Sequence, residues 1–207
     1  MAKDVLDRIY QVSGDSQMRA LYDEWAQDYD RDLQESGYLT PARLAEALAQ
    51  YVPDRSTPIL DFACGTGLSG IELAKAGFTQ IDGTDLSQAM LDIAATRSIY
   101  RTLFRVEPNQ PLPKHLSQYP VITAVGAISK GAAPASAYDE LLDLMQAGSL
   151  LALSLNDLSV ADPEYADMID KSVTSGKCRI RHKAHGPHLS KYGPNSGSTI
   201  TIVERLA

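Results

Sequence analysis

The stretch Pro58-Ile-Leu-Asp61-Phe-Ala-Cys-Gly65-Thr-Gly67-Leu-Ser-Gly70 decides how the rest of the chain is read. Ile59, Leu60 and Phe62 form a short apolar run that breaks at Ala63, Cys64, Gly65, Thr66 and Gly67, after which Ile71, Leu73 and Ala74 recur with helical spacing. The pattern predicts a strand, a glycine turn and a helix. Gly65 and Gly67 let backbone approach a ligand with no Cβ in the way, and the free N–H groups of the following helix point at the same place. Asp61 puts a carboxylate at the end of the strand. A phosphate would be repelled there, whereas an ammonium group or a set of hydroxyls would be held.

Outward from this stretch, the helix from Ser69 is expected to stop at Gly77, and a second strand to cover 79–84. Asp85 closes that strand, and Ser87 caps a helix carrying Met90, Leu91 and Ile93. An acid at the end of the second strand is where a doubly wound fold holds the ribose hydroxyls of an adenine nucleoside. Asp85 therefore supports adenosine binding without separating the cofactors that carry it, and Gly65-x-Gly67-x-x-Gly70 also fits the dinucleotide fingerprint G-x-G-x-x-G.

Further strands are expected over 102–107, 121–128, 150–155, 179–183 and 198–205, the fourth-strand segment 121–128 being apolar enough for burial on both faces. Helices are expected over 15–33, 138–145 and 162–175, and over 40–51 with Thr40 as N-cap and Pro41 at its first position. The 207 residues, 44% hydrophobic and 22% charged, suit one α/β domain with a real core. A net charge of −7 disfavours nucleic acid and anionic membrane as partners. Met1 to Asp4 lack the apolar region of a signal peptide and no apolar run reaches membrane-spanning length, so a cytoplasmic location is expected. Cys64 and Cys178 make neither a disulfide framework nor a metal-ligand spacing, and Cys64 reads as a small filler. His182, His185 and His188 alternate faces along a strand, His115 stands alone, and no metal is expected.

Asp61-Phe-Ala63-Cys-Gly65-Thr-Gly67 resembles the first motif, (D/E)-x-G-x-G-x-G, of the class I S-adenosylmethionine-dependent methyltransferases, with Ala63 in place of the first glycine. Tyr22-Asp-Glu-Trp25-Ala-Gln-Asp-Tyr29-Asp30 is similar to the Y-D-x-x-A-x-x-Y-D segment of small-molecule methyltransferases, which folds over the cofactor as a lid. Leu21, Tyr22, Trp25, Ala26, Tyr29 and Leu33 make one aromatic helix face, for which plain packing is the alternative role. Val125-Gly-Ala-Ile-Ser129 and the 100–113 stretch resemble the small methyltransferase-like proteins of the Williams-Beuren chromosomal region.

The resemblance runs from Leu21 to the C-terminus. It implies a three-layer, Rossmann-like α/β sandwich around a seven-stranded, mostly parallel sheet whose last strand is antiparallel, with residues 1–51 as a helical cap or lid and 52–207 as the cofactor-binding domain. It also implies S-adenosylmethionine as cofactor and methyl transfer to a small-molecule acceptor. The cofactor residues carried over are Tyr22, Trp25 and Tyr29 from the lid and Asp61, Ala63, Gly65 and Gly67 from the first motif. Asp85, Leu86, Ser87 and Met90 follow from the second turn, and Val125 from the fourth strand's end. Glu107 takes the place of the acid that faces adenine, but Pro108 has no N–H for the ring. Tyr22, Asp157 and the histidines of the last loop are the candidates for accepting a proton.

An NAD(P)-dependent oxidoreductase of the short-chain kind would need Tyr-x-x-x-Lys, which the sequence lacks. A serine hydrolase would use Ala127-Ile-Ser129-Lys-Gly131 as an elbow, but Ala132-Ala-Pro134 interrupts the helix such an elbow must enter. A non-catalytic cofactor-binding protein or partner subunit remains open.

Overall fold

A computed structural model describes residues 15–107, 110–129, 131–192 and 196–207. Strands β1 (Ile59–Phe62), β2 (Ile81–Asp85), β3 (Tyr100–Arg105), β4 (Val121–Ala124), β5 (Leu150–Asn156), β6 (Cys178–Pro187) and β7 (Gly197–Arg205) join in one sheet of order β3-β2-β1-β4-β5-β7-β6. The first five are parallel, and β7 runs antiparallel to both β5 and β6. Every residue of β1 and β4 is buried, as parallel strands covered on both faces must be. β6 forms an edge, and there Arg179, Arg181, Lys183 and His185 are exposed, charges that discourage pairing with another sheet.

The helices are α1 (Asp15–Ser36), α2 (Thr40–Tyr51), α3 (Leu68–Lys75), α4 (Gln88–Thr96), α5 (Ser136–Leu144), α6 (Asp157–Val160), α7 (Pro163–Ala166) and α8 (Met168–Thr174), with a 3-10 turn at Lys114–Gln118. Alternation along the strands divides the core in two. Ile59, Ile81, Val121 and Ile202 pack with Leu44 and Leu48 of α2 and Leu73 of α3, while Leu60, Ile122, Leu151 and Leu153 pack with Tyr138 and Leu141 of α5 and Ile169 of α8. This is the seven-stranded three-layer architecture expected. α2, grouped with α1 in the expected cap, buries its apolar face in the main core. α1 has its own small cluster, Leu21 and Trp25 flanked by Tyr22 and Tyr29, and rests on α4.

Several local expectations are corrected. Leu39, not Thr40, occupies the N-cap of α2, because the Thr40 hydroxyl bonds His188 Nδ1 and Ser198 Oγ, each at 2.8 Å. The strand expected over 121–128 ends at Ala124. Gly126 turns the chain at φ 64°, and Ala133 N–H donates to the Ala127 carbonyl at 2.8 Å, closing a loop ahead of α5. That loop precedes a helix starting only at Ser136, so no strand-to-helix elbow presents Ser129. The helix expected over 162–175 is two short ones, with α6 before them. Asn156 and Asp162 each accept a backbone N–H at the starts of α6 and α7, and the break between α7 and α8 falls at Asp167, which makes no side-chain cap bond. β3 begins two residues before 102 and ends at Arg105, and β6 extends to ten residues by pairing with β7 as far as Pro187.

Candidate active site

Strand order reverses between β1 and β4, and a cleft of about 810 Å³ opens at the carboxyl ends of these strands, where open α/β sheets bind ligands. Its floor is Phe62, Ala63 and Gly65 after β1, Asp85, Leu86, Ser87 and Met90 after β2, and Val125, Gly126 and Ala127 after β4. Met18, Arg19, Tyr22 and Tyr29 of α1 cover it, and Val106, Glu107 and Leu112 border it beyond β3. Pro108, whose missing N–H bears on the adenine expectation, lies outside the described residues.

Asp85 ties the floor together. Its Oδ2 accepts the Gly65 N–H at 2.8 Å and its Oδ1 accepts the Ser87 N–H at 2.9 Å. Burial pushes its pKa up, and the Ser87 and Gly65 N–H groups pull it back down. The Leu86 N–H also bonds this carboxylate, and since a carboxylate offers about four acceptor positions, capacity remains for a ligand hydroxyl. Ser87 caps α4 as expected, accepting the Met90 N–H at 3.1 Å. A Cβ built on Gly65, where φ is 55°, meets no protein atom within 4 Å, so the space before the turn belongs to the cleft.

Three expected contacts are elsewhere. Asp61 is fully buried beneath the turn, accepting hydrogen bonds from Ser69 (2.6 Å), Tyr100 (2.7 Å) and Thr123 (2.8 Å). Burial raises its pKa and these three hydroxyls oppose the rise. Gly67 and Gly70 are small for Tyr100, whose ring would lie 3.0 Å from a Cβ on Gly67 and whose hydroxyl would lie 2.4 Å from one on Gly70. Trp25 packs inward, buried to 4% exposure, with its indole N–H donating to Asp32 Oδ2 at 3.0 Å. The thiol of Cys64 is pushed well up by burial and by the carboxylates of Asp61 and Asp85, so it is a packed neutral group.

Tyr22 closes the cleft. Its hydroxyl donates to the Gly131 carbonyl at 3.2 Å, bridging α1 to the loop after β4. Asp157 is not part of the cleft lining. It receives the Gly197 N–H at 2.8 Å and pairs with His185 Nε2 at 2.9 Å. His188 lies against the Tyr38 ring with centroids 5.3 Å apart, and His182 against Tyr51. Among the described residues no His, Cys, Asp and Glu side chains gather as a metal site, and no helix is long and apolar enough to cross a membrane.

Sequence reasoning missed the carboxylates that seat α1. Asp23 accepts from Ser87 Oγ, and Asp30 accepts from Thr66 Oγ1 at 2.5 Å and from Arg97. The available signal was their spacing: both follow a tyrosine in the Tyr-Asp pairs that open and close the 22–30 segment, seven residues apart.

The model of a family described as "Methyltransferase domain" matches residues 59–148. The human protein methyltransferase-like protein 27 is 37% identical over 155 residues, which is 73% of this chain, and the chain spans only 62% of that relative's length. Among solved structures, a SAM-dependent methyltransferase from Methanosarcina mazei superposes with a TM-score of 0.58 at 14% identity, over 77% of this chain and 97% of that one. The [4+2]-cyclase SpnF superposes with a TM-score of 0.59 at 17% identity, over 80% and 81% of the two chains. Domain match, human relative and sheet order agree, and together they support a class I S-adenosylmethionine-dependent methyltransferase.

Proposed function

We propose that the cleft binds S-adenosylmethionine and that the protein transfers its methyl group to a small-molecule acceptor in the cytoplasm. The observation that carries this reading is Asp85, held by the Gly65 and Ser87 N–H groups with acceptor capacity left toward an open glycine turn. A ribose diol fits that donor set, and the carboxylate disfavours a phosphate at the same point. When bound, the cofactor supplies an electrophilic methyl on a sulfonium. The chain supplies position: Asp85 holds the nucleoside, Gly65 lets it lie against backbone, and Tyr22 and Tyr29 keep water out. Glu107 borders the far end, in place to meet the adenine edge, and Met90, Leu86 and Val125 give it apolar walls.

For a proton released by the acceptor, the cleft lining offers the carboxylates of Glu140 and Asp143 beside the sequence candidate Tyr22, whose hydroxyl donates to the Gly131 carbonyl and takes up a proton only as a phenolate. Asp157 acts, in this reading, on His185 and the start of β7 rather than on the acceptor. The net charge of −7 favours a small acceptor over nucleic acid.

The test is calorimetry with S-adenosylmethionine, S-adenosylhomocysteine and NADH, followed by label transfer from methyl-labelled cofactor into a small-molecule extract. Binding of the sulfur nucleosides with turnover supports the proposal. Binding with no labelled product from any extract would leave a cofactor-binding protein that is not a methyltransferase, and binding of NADH alone would reject the cofactor assignment.

A further inference from the structure

Asp23 and Asp30 stand seven residues apart on α1, two helical turns, so both carboxylates leave the helix on one side. They reach the two loops that form the floor of the cleft. Asp30 takes the Thr66 hydroxyl at 2.5 Å and the Arg97 guanidinium, and Arg97 Nε also bonds the Thr66 carbonyl. Asp23 takes the hydroxyl of Ser87, the residue that caps α4. Thr66 adjoins Gly65 in the glycine turn. The hydroxyls gripped by α1 therefore belong to, or lie beside, the residues whose N–H groups converge on Asp85.

We propose that Asp30, acting through Thr66 and Arg97, is a positioning residue that couples seating of α1 to the shape of the cofactor loop. With α1 seated, the turn from Cys64 to Gly67 is held between Asp85 on one side and Asp30 on the other. Coupling of this kind is reciprocal, so a cofactor filling the turn also holds α1 down. Thr66 is completely buried, yet its hydroxyl spends its bond on a helix that packs mainly through its own small cluster and α4. Loop packing needs the Thr66 methyl. Only the latch needs its oxygen.

The inference rests on the cleft being the cofactor site, and the experiment separates the two. Affinity for S-adenosylhomocysteine is measured by calorimetry on the whole protein and on Thr66→Val, Thr66→Ser, Asp30→Asn and the double variant Thr66→Val/Asp30→Asn, with amide exchange over 17–33 in the bound state. The latch predicts that Thr66→Val and Asp30→Asn each weaken binding about tenfold, the loss of one charge-assisted bond. It predicts that the double variant is no weaker than Asp30→Asn alone, because Asp30→Asn already weakens both the Thr66 and the Arg97 links. Thr66→Ser keeps the oxygen and should bind as the unsubstituted protein does, while 17–33 should exchange faster in the three variants that lose the bond. Thr66→Ser binding worse than Thr66→Val, additive losses, or a lowered melting temperature with unchanged affinity would each overturn the latch. Should Thr66→Val fail to fold, Arg97→Gln replaces it in the cycle with Asp30→Asn, with the same outcomes. Failure of the unsubstituted protein to bind would instead overturn the cofactor reading, and the latch with it.

Discussion

The carboxylate of Asp85 and the backbone N–H of Gly65 lie 2.8 Å apart, so the acid that ends β2 holds the turn that follows β1. The parallel pairing of Phe62 with Thr84 brings these two strand ends level, which is why residues twenty positions apart in sequence can share a bond. A ligand that uses Asp85 therefore meets a turn already in shape, and less of its binding free energy is lost to ordering.

Asp85→Ala is expected to lower affinity for the sulfur nucleoside at least tenfold. It removes a charge-assisted acceptor worth about 1.5–3 kcal/mol and also releases the Gly65 N–H. Asp85→Asn should be intermediate, since one amide oxygen can accept only part of what two carboxylate oxygens do. Calorimetry at pH 7.5 measures both. Because burial raises the pKa of Asp85, binding to the unsubstituted protein should also weaken on acidification sooner than for an ordinary carboxylate. Affinity unchanged in Asp85→Ala would reduce the acid to a structural tie.

Asp61→Asn is expected to act on stability more than on affinity. All three neighbours of Asp61 donate, and an asparagine amide nitrogen cannot accept, so at least one buried hydroxyl loses its partner at a cost of about 1–3 kcal/mol. Gly70→Ala should cost a similar amount by a different route, pushing a methyl to within 2.4 Å of the Tyr100 hydroxyl. Gly65→Ala provides the contrast. Its methyl enters open space at a left-handed φ, a strain of about 1 kcal/mol, but it occupies the cleft and should weaken binding more than folding. Urea denaturation and calorimetry on the three variants check the ordering.

Most of the fold was legible because its signals are local. Alternating and continuous apolar runs gave the strands, and Ser87 and Gly77 marked helix ends by cap chemistry that needs no distant partner. The cleft residues of the two turns were legible for the same reason. What escaped depends on partners far along the chain. Thr40 looked like a cap, but His188 and Ser198, almost 150 or more residues away, claim its hydroxyl. Asp61 and Gly67 looked like ligand contacts until Tyr100 filled the space beside them. Trp25 shares the aromatic face with Tyr22 and Tyr29, yet its N–H is satisfied by Asp32 on its own helix.

Stability should depend on His188 between pH 6.5 and 4. Burial above all, with Arg43 in the same sense and Asp157 opposing, lowers its pKa from 6.5 to about 4. A depressed histidine binds fewer protons folded than unfolded in this window, so its contribution is present above pH 6.5 and is lost as pH falls toward 4. The full swing is at most about 3 kcal/mol. Urea midpoints at pH 7 and pH 4.5 should fall less in His188→Gln than in the unsubstituted protein, since glutamine does not titrate. Parallel pH profiles would show that the acid sensitivity comes from other groups.

The bond from the Tyr22 hydroxyl to the Gly131 carbonyl joins α1 to the loop after β4 across the mouth of the cleft, linking residues 109 positions apart. If α1 is a lid, this bond must break for cargo to enter and form again behind it. Tyr22→Phe keeps the ring that packs near Trp25, with centroids 6.3 Å apart, and removes only the strap. A neutral, partly buried hydrogen bond contributes about 0.5–1.5 kcal/mol, so melting without ligand should shift little. The bound state should change more. Hydrogen exchange over 17–33 and 131–135 should slow on adding S-adenosylhomocysteine to the unsubstituted protein, and slow less in Tyr22→Phe, with faster ligand release. Equal protection with and without ligand in the unsubstituted protein would make α1 a packing helix, and the hydroxyl of Tyr22 would then be a tie between two fixed elements.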